Sequence, residues 1–256
     1  MQQDKILFAC RRNPSSAFLA QHLWKENLLS GIILESGREA KKRKIRKIRK
    51  NTKWWAWPMT LLDVGCLFIY QVIMSRKIAK FVQNEIGTVE FPDNVKCYYT
   101  DDINDDICLG LFETIQHCTL VVFGTSILKE KTINAVNGNI YNIHGGIVPK
   151  YRNVHSDIWA YINHDFGKIG TTIMHLDSGI DTGDIAAQDN IILDECLGIA
   201  DIKIKNLQLS ARLIVHVLVN KNSEMFRVQQ DKTQQNFYPT PRAFQLMKLL
   251  LQTIFR

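Results

Sequence analysis

The chain has 256 residues, of which 46% are hydrophobic and 22% charged, the balance of an ordinary globular protein rather than a disordered or fibrous one. Its net charge of +7 is local: Lys41 to Lys50, KKRKIRKIRK, holds eight basic residues in ten, and the remainder carries a net −1. Six cysteines with no C-x-x-C pair argue against a disulfide scaffold or a zinc site, and the N-terminal apolar run is too short for a signal peptide, so a reduced, cytoplasmic protein is expected.

In chain order, KILFAC (Lys5 to Cys10) reads as a buried first strand. A loop with Pro14 and Ser15 follows, then a helical pattern in AFLAQHLWKENL and a second strand in SGIILES. This β-α-β opening predicts a parallel sheet covered by helices. One or two helices are expected over about residues 40–85. Within them, Trp54 to Ser75 is long and apolar enough to span a bilayer and is preceded by positive charge. Pro58 divides that segment and Asp63 interrupts it, and a charge at bilayer depth is costly. A helix that covers the core, or lies on a membrane surface, fits better.

KCYYT is a candidate third strand and CTLVVFGTS (Cys118 to Ser126) a clear one. A short helix near Glu130 to Asn137 precedes the strand GNIYNIHGG, which ends at a histidine, and GTTIMHLD alternates as a further strand. Asp201 to Asn220 has helical spacing in Ile202, Leu207, Leu209, Leu213, Ile214 and Leu218. The tail offers a strand at EMFRVQQ, a YPTP loop and a closing helix from Ala243 to Phe255. The expected fold class is α/β, a doubly wound, mostly parallel sheet in residues 1–200, with a helix/strand extension in residues 201–256.

Ligands of open α/β sheets bind beyond the carboxyl ends of the strands. Asn142 and His144 stand where a strand should end, and Asp181 lies in a Gly-rich loop after the next one. An amide and an imidazole can donate to an oxygen that becomes negative, and a carboxylate can take protons from an attacking nucleophile. That set suits acyl transfer without a covalent enzyme intermediate, and no G-x-S-x-G elbow is present. Without further context, Asn142 and His144 are also compatible with a strand-end turn, and Asp181 with a turn aspartate in SGIDTG. Ser156 is a candidate N-cap of a helix through Asp157 and Trp159, and the basic run a solvated helix face.

Taken together, NIH, PKYR and GIDTG, in that order over about forty residues, resemble the signature of formyltransferases that use ten-formyltetrahydrofolate. The resemblance implies a Rossmann-like core in which Asn142 and His144 polarise the formyl oxygen and Asp181 sets the protonation of His144. It implies N10-formyltetrahydrofolate as co-substrate and no metal, with Ser126, Ile127, Leu128, Asp177 and Gly179 near the folate. Tyr151, Arg152, His155 and Trp159 are then candidates for the substrate side, with Tyr151 and Arg152 alternatively packing a loop, and His175 matches a position at which the family often has histidine. Departures from the pattern are Gly145 and Gly146 after the histidine, where Ser-Leu-Leu-Pro is frequent, and Asn153, where glycine commonly follows Tyr-Arg.

The acceptor is less defined. ACRRNPSSAF lacks the glycine of the phosphate loop of glycinamide ribonucleotide formyltransferases. The segment after Asp201 is short for the C-terminal domain of methionyl-tRNA formyltransferases and carries no basic run for RNA. The insertion after the second strand and the YPTP loop are similar to features of nucleotide-sugar formyltransferases of bacterial surface-polysaccharide (O-antigen) pathways. A nucleotide-linked amino sugar is therefore the expected partner, with no nucleic acid and with a homodimer left open. The alternatives are another small amine such as glycinamide ribonucleotide, or a non-catalytic protein of the same fold on a membrane surface.

Overall fold

The computed structural model describes residues 5–115, 117–192, 198–220, 227–231, 233 and 236–254. Its seven strands are β1 (Lys5–Arg11), β2 (Gly31–Glu35), β3 (Cys97–Thr100), β4 (Cys118–Phe123), β5 (Ile140–His144), β6 (Gly170–His175) and β7 (Ile185–Asn190). They form one sheet in the order β3-β2-β1-β4-β5-β6-β7. The pairs from β3 to β5 are parallel, while β5–β6 and β6–β7 are antiparallel. Strands β1, β2 and β4 are mostly apolar because their central residues are buried on both faces.

Successive residues of a strand point to opposite faces, and the core divides accordingly. Ile6, Phe8 and Cys10 of β1 pack with Phe18 and Leu19 of helix α1 (Pro14–Lys25). Leu7 and Ala9 face the other way, toward Cys108 and Phe112 of α4 (Asp106–Thr114). The expected loop at Pro14 and Ser15 is instead the first turn of α1. The Asn13 side chain accepts the Ser16 N–H at 3.0 Å, and a proline at the first position has no N–H to leave unpaired.

Between β2 and β3 the chain forms α2 (Arg38–Asn51), a 3-10 turn at Trp54–Ala56 and α3 (Trp57–Ile86). No residue of α2 is buried. Helix α3 buries a stripe at Cys66, Tyr70, Met74 and Val82 against α1, α7 (Ile199–Val219) and α8 (Ala243–Ile254). Asp63, the charge within the apolar segment, accepts the Ala243 N–H at 2.7 Å and pairs with Arg242 at 3.7 Å. It therefore closes the N-terminus of α8, where a negative charge complements the exposed N–H groups.

A boundary at residue 200 does not fit the packing. Leu207, Ala211, Ile214 and Leu218 of α7 lie in the same cluster as Phe8 of β1 and Phe18 of α1. Helix α7 is thus part of the layer that covers the sheet, and what lies apart from the sheet is α8, packed on α3. The remaining helices are α5 (Glu130–Ala135) and α6 (Ser156–Ile162). Of the strand expected at EMFRVQQ, residues 224–226 lie outside the described residues, and Val228 forms one antiparallel bridge to Ile185. The end of the closing helix at Phe255 also lies outside them.

Candidate active site

Tyr141 and Ile143 of β5 pack toward α1 and α7, so Asn142 and His144 project from the opposite face. They are in register with Met174 and Thr172 of β6. Because β6 runs antiparallel, it ends beside the start of β5, with His175 opposite Tyr141. The loop from Leu176 to Asp184 must then fold back along the sheet to bring Asp181 to both residues. Asp181 Oδ1 accepts the Asn142 Nδ2–H at 3.2 Å, and Oδ2 stands 3.5 Å from His144 Nδ1. Asn142, His144 and Asp181 meet at the carboxyl end of β5, which pairs parallel with β4 on one side and antiparallel with β6 on the other.

The imidazole is held from behind. His144 Nε2 lies 2.9 Å from the Tyr151 carbonyl and 3.3 Å from Ser156 Oγ. A carbonyl only accepts, and the Ser156 hydroxyl already donates to the Asn153 carbonyl at 2.6 Å, so Nε2 carries a proton. Nδ1 needs a second proton to donate toward Asp181. A Cβ at Gly146 would come within 2.8 Å of Nε2 and would also meet Ser156 Cβ, which accounts for the glycine there. Asn153, another departure from the family pattern, has φ 76°, a left-handed conformation open to Gly and tolerated by Asn. Its N–H donates to Asp181 Oδ2 at 2.8 Å, and its side chain donates to the Tyr238 carbonyl at 2.8 Å.

Three residues expected on the substrate side have other work. Tyr151 is buried, its hydroxyl donates to Asp165 at 3.0 Å, and its ring stacks on Tyr238 of the YPTP loop. Burial pushes the Tyr151 phenol up to about 12. Trp159 also stacks on Tyr238, and its Nε1–H donates to the Pro239 carbonyl at 2.7 Å. Arg152 is buried and its Nη2 donates to Gln230 Oε1 at 3.0 Å. Gln230 Nε2 in turn donates to the carbonyls of Asp181 at 3.0 Å and Gly183 at 2.7 Å. Arg152 and Gln230 therefore fix the backbone of the loop that carries Asp181, which itself sits at φ 52°. Gln230 has no motif around it, and nothing local in the sequence marks it.

The facing wall is the segment after β4. Ser126 N–H donates to Glu35 Oε2 at 2.9 Å, and Arg11 bridges Glu35 at 2.9 Å and Ser126 Oγ at 3.3 Å. Asn104 donates to the Ile127 carbonyl at 3.1 Å and accepts the Lys129 N–H at 2.6 Å. Leu128 is anchored in the core while Ile127 stays exposed. On the Asp181 side, Asp177 accepts the Gly179 N–H at 3.0 Å and the Thr182 hydroxyl at 2.6 Å.

These walls enclose a cavity of about 470 Å³, within the range of small-molecule sites. Ser126, Ile127, Leu128, Asp177 and Gly179 line it together with Asn142, His144 and Asp181. Tyr151, Arg152 and Trp159 do not; His155 does, and so do His175 and Lys203. His155, not Ser156, occupies the cap position of α6, with φ 63°. Burial and then the Lys203 charge push His155 down to about 4, so its ring is neutral. Lys203 pairs with Asp157 at 2.6 Å. Burial opposes the Lys203 charge, but Asp157 and Tyr70 more than offset it and hold the ammonium above its usual range. Among the described residues, no group of three or more His, Cys, Asp or Glu is placed to hold a metal.

Residues 112–218, which contain Asn142, His144 and Asp181, match the formyl transferase family model. Methionyl-tRNA formyltransferase of Finegoldia magna is 30% identical over 118 residues, 46% of this chain and 38% of that protein. Its counterpart in Thermotoga neapolitana is 25% identical over 162 residues, 62% of this chain and 51% of that protein. The matches thus span about half or less of these relatives. Among solved structures, the N-formyltransferase of Helicobacter canadensis in complex with folinic acid and dTDP-3-aminofucose superposes with a TM-score of 0.56 at 15% identity, over 92% of this chain and 71% of that one. Phosphoribosylglycinamide formyltransferase of Streptococcus pneumoniae gives 0.54 at 18% identity, over 85% and 98%. At such identities the superpositions speak for a shared fold. Residues 112–218 thus resemble a formyl transferase domain in sequence, and the fold and the meeting of the three side chains agree with that likeness.

Proposed function

We propose that this protein transfers a formyl group from N10-formyltetrahydrofolate to the amine of a nucleotide-linked amino sugar. The observation that carries the chemistry is the contact of Asn142 and His144 with one carboxylate, Asp181, at the wall of a cavity. Asn142 keeps a second amide N–H, and His144, once Nδ1 also carries a proton, presents a second donor to an oxygen placed between them. Both donors would then stabilise the charge that builds on the formyl oxygen as the amine nitrogen bonds to the formyl carbon. Asp181 is placed to take the proton that the amine gives up, and the bond from the formyl carbon to N10 breaks as N10 gains a proton. Backbone groups at Ser126 and Ile127, with Leu128, Val122 and Met174 nearby, offer the mixed polar and apolar surface that a pterin ring needs.

Two features favour an amino sugar as acceptor. The Helicobacter canadensis neighbour is a complex with an amino-sugar nucleotide. The first helix N-terminus, where a phosphate would dock in a glycinamide ribonucleotide enzyme, is occupied by the Asn13 side chain on the Ser16 N–H. Synthesis of a surface polysaccharide in the cytoplasm is the setting that this chemistry fits. The test is to incubate the protein with formyl donor and a panel of amino-sugar nucleotides, with glycinamide ribonucleotide alongside, and read products by mass. Gain of one formyl group on an amino sugar is expected; formylation of glycinamide ribonucleotide alone would reassign the acceptor.

A further inference from the structure

We infer that the α2–α3 segment docks the protein on an anionic lipid surface without crossing it. Helix α2 carries nine basic residues and one acidic residue in fourteen, and none is buried. Among the described residues only Lys42 and Arg43 of this helix form ion pairs, with Glu39 and Asp102. The chain runs from this helix straight into Trp54 and Trp55, which are 85% and 64% exposed. Tryptophan is the side chain that settles at the headgroup level, apolar in body and polar at one edge.

The surface continues beyond the tryptophans. Met59, Leu61, Leu62, Val64, Phe68 and Ile69 are exposed along the first half of α3. Phe244, Met247 and Leu251, one face of the neighbouring α8, are exposed as well. Past Val72 the outward residues of α3 turn polar and basic, at Ser75, Arg76 and Lys80. An apolar patch of this extent marks an interaction site, and its flanking charge selects the partner.

Trp54–Ile86 is long and apolar enough, by length and composition, to cross a membrane. Two contacts oppose a crossing. The Cys66, Tyr70, Met74 and Val82 stripe is packed on the protein's own helices, and Asp63 is committed to the α8 N-terminus. A second copy fits less well, because a two-fold axis through this face would bring two strongly cationic helices toward each other. An anionic bilayer satisfies both halves of the surface: cations of α2 on the headgroups, aromatic and aliphatic side chains at the interface.

Flotation of the full chain with phosphatidylcholine vesicles, with and without phosphatidylglycerol, tests this directly. The protein should float only with the anionic vesicles and be released by high salt. Trp54→Ser with Trp55→Ser should weaken binding by roughly tenfold or more, and so should Lys47→Gln with Lys50→Gln, with melting temperatures unchanged because all four side chains are exposed. Failure to float with anionic vesicles overturns the inference, as does flotation indifferent to salt and lipid charge. A concentration-dependent dimer that the tryptophan variant disperses would assign the surface to a second copy instead.

Discussion

Replacing Gln230 separates holding the Asp181 loop in place from keeping the protein folded. Gln230→Leu removes three hydrogen bonds, two to the carbonyls of Asp181 and Gly183 and one from Arg152. The neutral pair is worth about 1 kcal/mol each, and the loss of a partner for a buried guanidinium about 1.5–3 kcal/mol more. The Arg152 Nε is already without a hydrogen-bond partner among the described residues, so the total falls at roughly 3–5 kcal/mol. Gln230→Glu keeps a partner for Arg152 but turns two donors into acceptors that face carbonyls. It should retain most of the stability and still displace the loop. A shift of about 1 Å in a reacting group typically costs on the order of a hundredfold in rate, so both variants should lose turnover while only the leucine variant loses much stability. Urea unfolding gives the first quantity, and kcat with KM for the amine gives the second. If Gln230→Glu turned over within about threefold of wild type, the Arg152–Gln230 pair would have no part in placing Asp181.

His144→Ala and Asp181→Ala should each lower turnover by about two orders of magnitude or more, the usual contribution of a placed charge donor or proton carrier; steady-state kinetics with any accepted amine decide it, and a near-normal variant removes that residue from its role. A non-transferring formyl donor analogue should raise the melting temperature, since it binds only the folded chain; no shift at saturation would count against a folate site. The pH dependence of stability should carry a signature of His155. An unfolded histidine takes its proton near 6.5, whereas burial and Lys203 hold His155 near 4 in the fold. Between those values the unfolded chain binds a proton that the folded chain refuses, so stability is full above this window and declines as pH falls through it. The loss from this group is on the order of 3 kcal/mol. His155→Asn, which tolerates the positive φ, should flatten that part of the curve of melting temperature against pH; parallel curves would refute the assignment.

The strands most plainly legible in sequence are those whose apolar runs admit only burial between two helix layers, Lys5 to Cys10, Ser30 to Ser36 and Cys118 to Ser126, and KCYYT, GNIYNIHGG and GTTIMHLD also form strands where expected, as β3, β5 and β6. Asn142, His144 and Asp181 were legible because one motif spans all three. The pattern of α7 gave the helix but not its surroundings, because periodicity shows that one face is apolar and not which sheet it covers. Strand β7, IAAQDN, escaped because an edge strand can be polar along its outer residues. The supports of the site escaped for a different reason. Glu35 and Gln230 act on backbone groups 91 and 49 residues away in sequence, and a side chain whose partner is a distant main-chain N–H or carbonyl leaves no local pattern. Arg152 was a substrate-side candidate through the resemblance alone, and its partner is the side-chain amide of Gln230.

The bare α-carbon at position 146 has a consequence for anyone exchanging loops among such proteins. The imidazole of His144 fits its slot because one methyl group is missing at 146 and a small hydroxymethyl stands at 156. Grafting a bulkier segment behind the histidine would press the ring out of line unless position 156 were trimmed in the same step. The two sites, ten residues apart in number and adjacent in space, form a single unit of inheritance, and swapping either alone should yield a folded but idle protein.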